Sequence, residues 1–144
     1  MKRPVLSRVV RRVRTLLALP NAERQLLLRA LTLLWLCRVA LWTLPFPLVT
    51  RWVSHDRVPP ASTGTGAREI VRAVRIASRS VPHATCLVEA LAGARLFAEQ
   101  GQKVRVVIGA RKRAERLEAH AWLEAGGLVV LGNVTDLHSY HPLG

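Results

Sequence analysis

Acidic residues are scarce in this chain: nine Asp+Glu stand against 22 Lys+Arg, a formal net charge of +13 over 144 residues. Aromatics are scarcer, at 5%. A nucleic-acid module that stacks bases on rings has little to build with here, and no nucleic-acid motif is present. Cysteine is limited to Cys37 and Cys86, which form no CxxC pair. The first residues carry no apolar stretch with a small-residue cleavage site, so a reducing cytoplasmic setting without a structural disulfide is expected. The most apolar segment is interrupted by Arg29 and Arg38, leaving no run of ~18 uncharged apolar residues for a simple membrane span. There is no internal repeat and no low-complexity tract. The size excludes a large multidomain enzyme. The 50% hydrophobic content in turn excludes a disordered basic tail.

What is present is unevenly arranged. Residues 1–58 hold 11 Lys+Arg and two acids, Glu23 and Asp56, whereas residues 59–144 hold 11 Lys+Arg and seven acids. The basic excess therefore belongs to the N-terminal part. Residues 4–18 read as a basic amphipathic helix ended by Pro20, with Val5, Val9, Val13 and Leu16–Leu17 on one face. Asn21 is placed as the N-cap of a second, very apolar helix over 22–44, which Pro45 and Pro47 stop. The proline- and glycine-bearing stretch 54–66 reads as a linker. Helices follow at 67–79 and from Cys86 toward Gly101. The period then changes to that of strands at 103–110, 120–124 and 128–131, with 111–118 as a charged connection and 125–127 as a turn. The resulting expectation is an α+β fold: a helical extension at 1–53, a linker at 54–66 and a core at 67–144.

Cys86 carries the chemistry of interest. It follows a proline-containing turn and opens a helix, where unpaired N–H groups and positive potential favour a thiolate and can stabilise an oxyanion. Cys37 sits in mid-helix among leucines and has no such setting. A nucleophilic thiol needs a base, and His120 begins an apolar strand on which it shares one face with Trp122 and Glu124. A helix-terminal Cys facing a strand His is the geometry of papain-like and transglutaminase-like sites. A buried structural Cys beside a capped His is the plain alternative.

The words around these residues resemble a known family. Val81-Pro82-His83-Ala84-Thr85-Cys86-Leu87-Val88-Glu89-Ala90 is similar to the nucleophile segment "P-x-x-C-L-x-x-A" of the leader peptidases of lasso-peptide biosynthesis. Residues 101–109 (GQKVRVVIG) resemble that family's "G-x-x-a-x-x-x-I-G" strand. Residues 119–124 (AHAWLE) resemble its "HAWxE" strand, and Tyr140-His141-Pro142-Leu143 its "Y-x-P-L" end. The resemblance covers about residues 70–143, and the "AERxLLLRAL" helix also looks like the family's N-terminal extension.

The resemblance implies a transglutaminase-like (papain-like) cysteine peptidase without cofactor or metal. It would remove the leader from a ribosomally made precursor through a Cys86 thioester, with His120 as the proton partner. The freed core amine would pass to a separate ATP-dependent cyclase. The chain looks like the stand-alone peptidase half, which implies a separate winged-helix-like leader-recognition protein. The N-terminal helices are then candidates for docking a partner or a membrane surface. One departure stands out. The family commonly places an acid twelve residues after the histidine, and that position is Gly132. Asp136 is the first candidate for the missing third residue and Asn133 the alternative. His138 and His141 have HxxH spacing, but no further ligands complete a metal site. The run Arg111-Lys112-Arg113 with Arg116 reads as a solvated connection, or as a feature that steers an acidic leader. Two other functions stay open: acyl transfer from the same thioester, and a non-enzymatic basic module for membrane or nucleic acid.

Overall fold

The computed structural model describes residues 5–53 and 66–143. The element order is α1 (Val5–Leu17), α2 (Asn21–Thr43), α3 (Phe46–Val53), α4 (Ala67–Ser78), α5 (Cys86–Glu99), β1 (Arg105–Arg113), β2 (Arg116–Ala125), β3 (Leu128–Leu131), a 3₁₀ turn at Leu137–Ser139 and β4 (His141–Pro142). The strands form one antiparallel sheet in the order β3-β2-β1-β4. The expected α+β fold is what the chain adopts. The linker expected at 54–66 lies, Gly66 apart, outside the described residues.

The helices follow the apolar spacing with three differences. Pro20, not Asn21, is the N-cap of α2, and Asn21 is its first residue. Its carboxamide oxygen instead accepts a hydrogen bond from Arg24. Pro45 ends α2 as expected, but Pro47 does not prolong the break. It falls in the first turn of α3, where a missing N–H leaves no helical bond unmade. Third, the charged connection expected at 111–118 is strand nearly throughout: β1 and β2 pair without interruption from Arg105↔Glu124 to Arg113↔Arg116. Only Ala114 and Glu115 form the turn. A two-residue hairpin loop demands positive φ, and Ala114 adopts it at φ 53° without glycine's freedom. The chain carries no Asn-Gly or Asp-Gly there to mark the turn.

The helices cover one face of the sheet. α2 packs on α4 and α5, and α5 lies on β2. Leu33, Leu34 and Cys37 of α2, Ile70 and Val74 of α4, Leu91 and Phe97 of α5, and Leu123 and Leu131 of the sheet are fully buried in one cluster. Each such side chain removed from water contributes about 1.5–3 kcal/mol, so α2 is integral to this core. The Arg29 guanidinium donates to Glu99, and Arg95 lies beside the same carboxylate, joining α2 to the end of α5. α5 closes on a positive-φ Gly101, with Gln102 N–H returning to the Phe97 carbonyl at 2.9 Å.

Candidate active site

Cys86 is the first residue of α5. Thr85 caps the helix, its hydroxyl accepting from the Val88 N–H at 3.4 Å. The Cys86 and Leu87 amides have no protein acceptor among the described residues. The half-buried thiol therefore stands beside two free donors. The preceding turn, with His83 at φ 55°, is held from α2, where the Arg38 guanidinium donates to the His83 carbonyl at 3.1 Å. In the sequence Arg38 reads only as an interruption of an apolar helix. No local pattern announces a contact across 45 residues. Cys37 has the opposite character: it is fully buried, and burial pushes its thiol up to about 12. Iodoacetamide at neutral pH is accordingly expected to label the folded protein once, at Cys86, and to reach Cys37 only in denaturant. Peptide mapping reads this directly, and comparable labelling of Cys37 in the folded state would contradict the packing of α2.

His120 lies in β2 opposite Gly109. Its alternation partners are those expected. The Trp122 ring lies 6.2 Å from the imidazole, and the Trp122 indole N–H donates to Glu124 at 2.8 Å. Gly109 makes room for this layer, since a Cβ there would meet the Trp122 ring at 2.7 Å. Tyr140 covers the imidazole from the C-terminal segment, with ring centroids 5.5 Å apart.

The +12 position comes to the histidine, but with a backbone atom. His120 Nε2 lies 2.7 Å from the Gly132 carbonyl oxygen. A carbonyl only accepts, so Nε2 carries the proton and a neutral ring leaves Nδ1 as its basic nitrogen. Gly132 holds φ +84°, and a Cβ on it would meet the Ala121 carbonyl oxygen at 2.9 Å. Its conformation and its crowding both require glycine.

Asp136, favoured from the sequence to orient His120, instead pairs with Arg111. Arg111 also donates to Glu118 at 2.8 Å and Ser139 at 2.9 Å, and its guanidinium sits 4.5 Å from the Tyr140 ring centroid. The Asp136 and Glu118 carboxylates raise the Arg111 pKa further, and Arg111 holds the Asp136 carboxyl below the usual carboxylate range. Arg111 is thus the clasp of the C-terminal segment rather than part of a solvated run. Asn133 is exposed, one residue past the carbonyl that His120 contacts.

The fold brings Cys86 and His120 to the same end of the domain. Only residues 100–104 link α5 to β1, a connection short enough to let the strand turn back along the helix. Near the middle of α5, a Cβ on Gly93 would meet Leu123 at 2.9 Å. From there back to Cys86 the helix covers about 10 Å, and from Leu123 back to His120 the strand covers about 10 Å. The side chains differ in direction. Ala121 and Leu123 belong to the helix-facing cluster, so alternation sets His120 and Trp122 on the other face. No hydrogen bond joins the thiol to the imidazole among the described residues. Among the described residues β3 pairs only with 123–125 of β2, and no further strand pairs with the β2 edge next to His120 beyond Gly132.

These features define an α+β domain with a thiol on a capped helix terminus and a tautomer-fixed histidine on the adjoining sheet. A family model described as the transglutaminase-like superfamily matches residues 27–144, and the chain belongs to that superfamily. The match includes most of α2, which the packing also joins to the core. No curated protein and no solved structure matches the chain.

Proposed function

We propose that this protein is a cysteine peptidase that removes the leader from a lasso-peptide precursor, with Cys86 as nucleophile and His120 as its proton partner. The observation that carries the reading is the setting of Cys86: a half-buried thiol on the first residue of a capped helix, beside two amides without acceptors among the described residues. The transglutaminase-like family supports thioester chemistry in general. The resemblance of the segments around Cys86, His120 and Tyr140 supports the leader peptidase in particular.

In this mechanism the Cys86 sulfur attacks the scissile carbonyl while Nδ1 of His120 takes the thiol proton. The developing oxyanion is met by the Cys86 and Leu87 amides. Collapse breaks the C–N bond, and the imidazolium returns its proton to the departing core amine. Water, deprotonated by the same ring, then hydrolyses the thioester and frees the leader with a terminal carboxylate. The mechanism requires the imidazole and thiol to come together around the bound substrate, as catalytic hydrogen bonds commonly tighten only there. A separate leader-recognition protein delivers the precursor, and an ATP-dependent cyclase consumes the freed amine.

The test is reconstitution of the full chain with a precursor peptide and its leader-binding partner, read by mass spectrometry. Hydrolysis releases two fragments whose masses sum to the precursor plus one water. A leader carrying the mass of an added amine instead would assign acyl transfer to the same thioester. An intact precursor after long incubation with active partners would overturn the peptidase reading.

A further inference from the structure

α2 is apolar on two opposite sides, and only one of them is used by the fold. Leu27, Ala30, Leu34 and Cys37 face the core. Leu28, Trp35, Val39 and Trp42 recur at intervals of seven, four and three, which places them in one stripe on the far side of the helix. All four are exposed, Trp42 to 87%. Leu36 borders this stripe, and Leu44, Phe46 and Leu48 continue the exposed apolar surface past the helix end. The N-terminal helices are strongly basic: between residues 5 and 53 eight arginines stand against a single acid, Glu23, although Arg29 is paired with Glu99.

We infer that this face of α2 is a peripheral binding surface for an anionic lipid bilayer. Three features select that occupant. Indole rings at 35 and 42 suit the headgroup boundary, where an apolar body and a polar N–H are both accommodated. The arginine excess complements anionic headgroups, which attract cationic segments near their surface. The helix also lies on the bilayer rather than through it. By length and composition α2 could cross a membrane. Yet Leu33, Leu34 and Cys37 are fully buried against the domain, and a span would strip them from α4 and α5. An interfacial helix keeps that face on the protein and places the stripe in lipid.

The experiment sediments the full chain with phosphatidylcholine vesicles and with vesicles containing phosphatidylglycerol, alongside Trp35→Ser/Trp42→Ser. Both tryptophans are exposed, so circular dichroism should show the variant folded. Binding is expected to the anionic vesicles, weaker at high salt, with a blue shift of tryptophan emission. The double variant should lose about tenfold or more in partitioning and most of the shift. Failure of the wild-type chain to bind anionic vesicles would overturn the inference. So would undiminished binding by the variant, which would assign the attraction to charge alone. Concentration-dependent dimerisation abolished by the variant, without vesicle binding, would assign the stripe to a second copy of the chain. None of these outcomes depends on the peptidase reading.

Discussion

Replacing Cys86 by alanine is expected to lower leader removal by on the order of 10³-fold or more, and His120→Ala should fall nearly as far. In the proposed mechanism the two act as one unit: without the sulfur no acyl-enzyme would form, and without the imidazole neither the thiol nor the leaving amine would exchange its proton. The double variant should therefore be no slower than either single one, because interacting catalytic residues are strongly non-additive. Folding is not at stake at Cys86. The side chain is half-buried at a helix terminus, Thr85 supplies the cap, and the change in stability should stay within about 1 kcal/mol. Rates are read by chromatography of the released core peptide, and the fold by thermal unfolding. Wild-type cleavage by Cys86→Ala would remove the proposed nucleophile. A dead Cys86→Ala beside a fully active His120→Ala would keep the nucleophile and move the base elsewhere. This second outcome is the sharper test, because His120 projects from the face of β2 opposite the helices.

Much of this site could be read in the chain before any coordinates. Proline, threonine and the alanine-leucine run mark the start of α5, and so place Cys86 at a helix terminus. Alternation in HAWLE set His120, Trp122 and Glu124 together, and the ring contacts agree. What escaped depends on long-range pairing. Arg111 reads as one more charge in a basic run, and only its place on β1, opposite Glu118, lets it take Asp136 as well. The hairpin at 114–115 escaped because alanine and glutamate announce no turn. The two apolar sides of α2 blur into one hydrophobic run, since a period of 3.6 is hard to see when both faces are leucine-rich. The +12 spacing marked the correct neighbour of His120, but spacing is counted in side chains, and here the group that arrives is a carbonyl.

That carbonyl makes Gly132 the second decisive position. Gly132→Ala should destabilise the protein by about 1–3 kcal/mol through its left-handed backbone alone. The added Cβ would also press on the Ala121 carbonyl oxygen and on Trp122, where the gaps are 2.9 and 3.0 Å. To relieve both, the 131–133 backbone must rotate and carry the carbonyl away from Nε2. The imidazole then loses the acceptor that fixes its tautomer, and cleavage should drop by on the order of 10²-fold in protein that is still folded. Gly132→Asp, which writes in the acid that the resemblance to leader peptidases implies at this position, should not rescue the rate, because its Cβ meets the same obstruction. A thermal melt together with rates measured well below the midpoint separates lost fold from lost chemistry. Should Gly132→Ala fail to fold, nitrogen NMR of the wild-type ring still decides the matter. The structure requires the proton on Nε2 in neutral His120, and a ring protonated on Nδ1 would show that the carbonyl does not position it.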